Sequence, residues 1–421
     1  MRTNYRGKLI SNFLSLSIIQ GTNFLIPVLI MPYVIRKIGT DGFGIVAIAQ
    51  VVMLYFSTFS DYGFYFTATR DVALQKENVP GISKLFFTVL ASKAIICVVA
   101  FILLLGLVQF VPFFADHASL YILAFAYVIG QSLMVNWFFQ GVEQMHYITI
   151  ITLIARIIFV ILVFIFIRQK EDSVLFLFLL GASNSMAGLI SIYLAIRIFK
   201  LSYYRPSWQD ILHEFKEGWQ ITVSNLSINT YLYINVVVLR FFTTDMVVGY
   251  YSIAEKIFLA ARQVLSIFSQ VVYPQVCQLA LKGKKEMTGF FKQIYFPFLL
   301  MVVAGCIAVF ILAPYIIYLF VGEYTNMPVV LLRVLMITPV IVCLNIPAYQ
   351  ILLAFNERKR YSRTYIIGTV LNILCNLLLA GWWGPVGTVI SIIITETFIT
   401  AWLNRELYKS KHSDLIRLSV S

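Results

Sequence analysis

Seven ionisable side chains sit inside long apolar stretches of this 421-residue chain: the cations Lys93, Arg156, Lys256, Arg262 and Arg333, and the acids Glu255 and Glu396. A charge at the centre of a bilayer costs about 2.5–3.5 kcal/mol even on the lenient insertion scale, so each should face protein or water. Five cations against two acids leave a net +3 in the apolar interior, and an unneutralised positive interior calls for an anionic ligand. Lys93 and Arg156 stand roughly 12–14 Å from the cytoplasmic ends of their stretches, too deep for easy snorkelling. With Arg262 they are the leading candidates to line a cavity. Arg333 lies only about 8 Å in, and either reaches the outer surface or joins that cavity. Arg36 and Arg240 stand at helix ends, where they contact ligand, snorkel, or pair with Asp41 and Asp245. Glu255 has a bland reading, neutralising Lys256 or Arg262.

These residues must be held by membrane-spanning helices. Hydrophobic side chains make up 60% of the chain and charged ones 12%, with mean hydropathy +0.86; soluble domains carry about 25% charged residues. A spanning helix needs roughly 20 apolar residues. Apolar runs against charged or Gly/Pro/Asn-rich breaks give twelve candidates: 9–35, 43–61, 85–110, 118–141, 148–167, 173–196, 218–239, 246–273, 293–320, 328–355, 364–380 and 387–404. The fold expected is all-α and integral to the membrane, in two six-helix lobes (1–199 and 218–421) joined by a linker over 200–217. The first run, behind Arg2, Arg6 and Lys8, is too long for a signal peptide and lacks a small-residue cleavage site. Alternate connections carry 22 Lys and Arg on one side and five on the other (Arg36, Lys37, Arg168, Lys170 and Arg240). Positive residues favour the cytoplasm, so both termini are expected there.

The chain also repeats itself. Val34-Ile35-Arg36, Thr40-Asp41, Gly44 and Ala47-Ile48-Ala49-Gln50 recur as Val238-Leu239-Arg240, Thr244-Asp245, Gly249 and Ser252-Ile253-Ala254-Glu255, an offset of 204–205 residues. Parallel repeats of this kind imply a pseudo-two-fold axis along the membrane normal and a site between the lobes. At 100° per residue, span eight gathers Ser252, Glu255, Lys256, Arg262, Gln263, Ser266, Ser269 and Gln270 in one sector, as a helix lining something wet would. Span two stacks Gln50, Ser57 and Asp61. Span four offers Ser132, Asn136, Gln140 and Glu143, span one Gln20 and Asn23, and span seven Ser224, Asn225, Ser227 and Asn229. Such Ser and Asn positions in spans one and seven are as often helix–helix glue. After Pro206-Ser207, the residues Trp208, Ile211, Leu212 and Phe215 share a face opposite Asp210, Glu214 and Lys216, an interfacial amphipathic helix.

Several chemistries are excluded. Cys97, Cys277, Cys306, Cys343 and Cys375 lie in apolar stretches without CxxC spacing and read as reduced packing residues. His117, His146, His213 and His412 are scattered, with no metal-ligand spacing, and no GxSxG, P-loop or dinucleotide fingerprint is present. Neither catalysis, a metal, nor a nucleic-acid partner is expected.

Arg36, Asp41 and Phe43-Gly44 at the end of span one, and Asp61-Tyr62-Gly63-Phe64 with Ala68-Thr69-Arg70-Asp71 after span two, resemble the polysaccharide (O-antigen) flippases. Trp137-Phe138-Phe139-Gln140-Gly141-Val142-Glu143 adds to the likeness. These belong to the multidrug/oligosaccharidyl-lipid/polysaccharide exporter superfamily. The resemblance implies a multi-pass protein of the bacterial inner membrane that moves undecaprenyl-diphosphate-linked oligosaccharides to the periplasmic leaflet. It implies membrane lipids, a polysaccharide polymerase and a chain-length regulator as partners, and no cofactor beyond H⁺ or Na⁺ as coupling ion. On that expectation Lys93, Arg156, Arg262, Lys256, Arg333, Arg36 and Arg240 meet the diphosphate. Asn136 and Gln140 meet sugar hydroxyls, and Glu255, Glu396 or Asp61 couples the ion. Three rivals make different demands. A drug or organic-cation antiporter of the same superfamily predicts an acidic cavity. A major-facilitator sugar transporter predicts G-x-x-x-D-R after span two. A membrane-embedded polymerase or acyltransferase predicts a sizeable outward loop or clustered His and Asp.

Overall fold

The computed structural model describes the backbone of residues 2–410 apart from 76, 283 and 356. It describes side chains at Ile26 and from Leu29 onward, apart from 224, 228, 231, 274, 280–284, 288 and 358. The side chains of Gln20, Asn23 and Ser224 lie outside that set. Every regular element among the described residues is a helix. The apolar runs of the sequence leave no alternative in hydrocarbon, where a backbone must satisfy its own hydrogen bonds. Among the described residues, eight helical stretches are long and apolar enough to cross a membrane, or nine if the bent pair Trp208–Ser227 and Leu232–Phe242 counts as one.

The helices cluster into two units, Met1–Asn229 and Thr230–Ser421. The division falls inside the helix Trp208–Phe242, which bends by 55° between Ser227 and Leu232. It does not fall at the expected linker 200–217, because Phe215 and Trp219 pack their rings on Tyr62 (centroids 5.2 and 6.4 Å), tying the helix start into the first unit.

In the first unit, α1 (Arg2–Asp61) is broken at Gly39 (φ 78, ψ 165), where the sequence placed the end of span one. An unbroken helix of that length would reach about 90 Å, three times the roughly 30 Å hydrocarbon core. α2 (Phe64–Leu74) and α3 (Val79–Phe110) follow. After α4 (Pro112–Ala115), span four forms three pieces: α5 (Ala118–Ala124), α6 (Ala126–Leu133) and α7 (Asn136–Gly141). Met134 (φ −70, ψ 122) and Val135 (φ −100, ψ 42) leave the helix between the last two. α8 (Met145–Phe166) and α9 (Ser173–Ile198) pack on α1 and α6. Trp137, Phe138 and Phe139 are buried against Phe86 and Phe64, so most of that motif is core.

α10 (Trp208–Phe242) opens with a reciprocal cap: the Asp210 amide donates to the Ser207 hydroxyl, and the Ser207 amide donates to the Asp210 carboxylate. Hydrogen bonds from Lys84 and Ser207 hold the Asp210 carboxyl well below the usual carboxylate range. The amphipathic pattern is only partly realised. Trp208 and Leu212 are exposed and Ile211 buried as drawn, but Glu214, expected on the polar face, is buried. The turn of the chain that seats Phe215 on Tyr62 and Phe64 also turns Glu214 inward.

The second unit holds α11 (Asp245–Lys282), α12 (Lys284–Phe290), a π turn at Phe291–Tyr295, α13 (Phe296–Val321), α14 (Asn326–Leu335), α15 (Ile337–Ala354) and α16 (Arg358–Tyr408). α16 breaks at Gly384 (φ 58, ψ −133), inside the expected gap between spans eleven and twelve. Ile366, Val370, Leu374 and Leu378 form an exposed apolar stripe along its first arm, as a lipid-facing helix requires.

Candidate functional site

The broken fourth span is where polar chemistry gathers in the first unit. A cavity of about 310 Å³ opens beside the Met134–Val135 break, walled by Gln131, Ser132, Met134, Asn136 and Trp137 from that span. Non-helical backbone at membrane depth is tolerated only where it is buried in protein or lines a polar cavity. α1 contributes Ser57, Thr58 and Asp61, α3 contributes Lys93, and α10 contributes Asn225 and Asn229. Lys93 donates to Asp61 at 2.9 Å, and the Asn229 amide donates to Thr58 at 2.6 Å. Ser60 and Ser132 share a hydrogen bond of 2.6 Å beneath the wall.

Local geometry fixes Asp61. It is the last residue of α1, and the chain then turns through Tyr62 (φ 47) and Gly63 (φ 74) into α2. A Cβ on Gly63 would stand 2.9 Å from Ile221, and one on Gly218 would stand 2.3 Å from the Tyr62 carbonyl oxygen. The turn thus lies directly on the α10 backbone.

Within this pair the two charges are unequally placed: the Lys93 side chain is 4% exposed and Asp61 35%. The second unit reverses the arrangement. Arg262 meets Glu396 at 2.7 Å, with Arg262 22% exposed and Glu396 1%. The cavity there is small, about 20 Å³, and Glu255, Asn235, Asn372 and Thr395 also line it. Tyr251 donates to Glu255 at 3.0 Å, Asn376 to Asn235 at 2.8 Å, and Asn372 to Thr395 at 3.3 Å.

The expected set of bare cations is therefore corrected. Lys93 and Arg262 each face a carboxylate, so the +3 interior is largely cancelled where the polar side chains gather. Arg156 is outside both cavities and lies by Tyr127. Arg240 pairs with Asp245 and the Thr243 carbonyl, as its helix-end position allowed. Asp41 takes Lys170 at 2.6 Å. Arg333 donates to the Phe310 carbonyl at 3.2 Å and lies over the Phe310 ring, held by its neighbouring helix. Lys256 borders Glu255 without lining that cavity. Asn136 lines the first cavity, and Gln140 does not. The wet face drawn on span eight is only partly wet: Ser252, Glu255 and Ser269 are buried, and Gln350 donates to Ser269 at 2.9 Å. Thr58, Gln131, Asn235, Asn372 and Asn376 were not among the expected site residues. Their signal was present, as carboxamides and a hydroxyl inside apolar runs, but charge outweighed it.

The fold is that of transporters of the multidrug/oligosaccharidyl-lipid/polysaccharide exporter superfamily. An inward-facing multidrug transporter of that superfamily superposes with TM-score 0.65 at 14% identity, covering 97% of this chain and 99% of its own. The lipid II flippase MurJ gives TM-score 0.68 at 14% identity, covering 96% and 89%. The chain belongs to the polysaccharide biosynthesis protein family, whose model matches residues 9–280. Two relatives, each named "Putative O-antigen transporter", come from Escherichia coli (strain K12) and Shigella dysenteriae. They are 26% and 28% identical, over 93% of this chain and 94% and 98% of theirs. Apolar helices and family together make this a bacterial membrane protein.

Proposed function

We propose that this protein is a flippase, not an enzyme. It carries undecaprenyl-diphosphate-linked O-antigen or polysaccharide repeat units from the cytoplasmic to the periplasmic leaflet of the inner membrane by alternating access. The observation that carries the reading is the polar cavity at a broken helix inside a stretch that otherwise belongs in hydrocarbon. Family membership, the names of the two relatives and the likeness to a lipid II flippase support it. Twelve crossings in two six-helix halves follow if α1 and α16 each count twice across Gly39 and Gly384, and if bent α10 and amphipathic α11 each count once. Both termini are then cytoplasmic. Arg262, the accessible member of its pair, is the candidate contact for the diphosphate; guanidinium suits phosphate oxygens through paired hydrogen bonds. Asp61, Glu255 or Glu396 takes the coupling H⁺ or Na⁺, and a polymerase and chain-length regulator act on the delivered units.

Deletion of the gene is expected to remove surface polysaccharide and to accumulate lipid-linked repeat units on the cytoplasmic side. Loss of chain extension with normal delivery would instead indicate a polymerase. One observation favours a second reading, an organic-cation antiporter: Asp61 presents its carboxylate to the first cavity. That reading requires the deletion strain to become sensitive to cationic dyes while its surface polysaccharide stays intact.

A further inference from the structure

We infer that the cavity of the first unit is a sugar-reading subsite in which Asp61 and the surrounding carboxamides bind hydroxyls of the cargo's glycan, with Lys93 as a positioning residue behind Asp61. The inference rests on the flippase reading and deepens it, because it removes Lys93 from the diphosphate contact. Lys93 is 4% exposed and its ammonium is spent on Asp61, so an incoming phosphate meets the carboxylate first. That order repels an anion and suits a neutral hydroxyl donor, with which a carboxylate forms short, charge-assisted hydrogen bonds.

The rest of the wall agrees. Gln131, Asn136, Asn225 and Asn229 each offer a donor and an acceptor, the pairing that hydroxyl groups require. The volume, about 310 Å³, is at the small end of ligand pockets, which run roughly 300–1,000 Å³. It suits one or two sugar rings rather than a long glycan, so the site reads the part of the glycan that enters it and leaves the remainder unread.

The test is equilibrium binding to the purified full-length protein in lipid nanodiscs. The probes are the sugar-bearing lipid that accumulates in the deletion strain and bare undecaprenyl diphosphate. Asp61→Asn and Asn225→Ala are each expected to weaken the sugar-bearing lipid about tenfold or more, and to leave bare undecaprenyl diphosphate within about twofold. Lys93→Arg should keep the preference for the sugar-bearing lipid and Lys93→Met should lose it, a ratio that a purely structural role would not move. Arg262→Gln should weaken both lipids alike. Asn225→Ala decides the matter if Asp61→Asn does not fold. Equal weakening of both lipids by the cavity variants, or no weakening at all, overturns the sugar subsite and leaves the flippase reading standing. Wild-type protein that binds neither lipid overturns both.

Discussion

Lys93–Asp61 and Arg262–Glu396 are two ion pairs of opposite construction, and the difference has consequences for stability. In the first the cation is hidden and the carboxylate is accessible; in the second the carboxylate is hidden. Removing the accessible member strands a buried charge, which costs about 3–5 kcal/mol, whereas a stranded accessible member can recover hydration. Asp61→Asn should therefore destabilise more than Lys93→Met, and Arg262→Gln more than Glu396→Gln, by roughly 2 kcal/mol or more in each case. The double variants should recover part of the loss. Thermal unfolding in detergent at neutral pH checks the ranking; equal losses from both members of a pair would show that exposure does not govern these sites. The cations themselves were legible in the sequence, because a Lys or Arg deep in an apolar run is conspicuous. Their partners were not. Asp61 and Glu396 lie 32 and 134 positions away from their cations, and the periodicity of one helix says nothing about which side chain another helix places opposite it.

The element that makes the first cavity is the fourth span, and its break was invisible in sequence. Leu133-Met134-Val135-Asn136 contains neither Gly nor Pro, so nothing local ends the helix there. Tertiary packing decides it: Trp137 sinks into the Phe86–Phe64 core, and the Trp137 carbonyl accepts from Thr69 at 3.1 Å. The breaks at Gly39 and Gly384 were legible, since each falls in a gap between apolar runs. Where elements meet, the seat of the Asp61 turn on α10 is the most constrained contact. At Gly218 a methyl group would stand 2.3 Å from the Tyr62 carbonyl oxygen, a backbone atom unable to move alone. Gly218→Ala is expected to cost about 1–3 kcal/mol through overpacking, and to displace Asp61 with its turn. The expected readout is a lowered Tm together with lost surface polysaccharide. A variant with wild-type Tm and full complementation would mean that the turn is not seated by this glycine.

At the scale of the whole molecule, hydropathy and charge carry different information, and the proposed twelve-crossing topology draws on both. Among the described residues, the helices long and apolar enough to cross number eight and leave out α11, whose Glu255, Lys256, Arg262 and glutamines dilute its apolar content. Charge bias does not depend on how apolar any one helix is; it asks on which side each connection lies. Dropping a crossing in the middle of the chain would swap the side of every later connection, and the contrast of 22 to five would collapse. Adjacent connections around α9 make the sharpest comparison. Glu171, in the short 3₁₀ turn before it, should face the periplasm, and Arg205, in the extended segment after it, the cytoplasm. Both positions are exposed. In a background with the five native cysteines replaced, Glu171→Cys should react in intact cells with a membrane-impermeant maleimide. Arg205→Cys should react only after the membrane is opened. The reverse pattern would invert the molecule. Labelling of both sites from outside would mean that α9 does not cross, and the twelve-span count would fall with it.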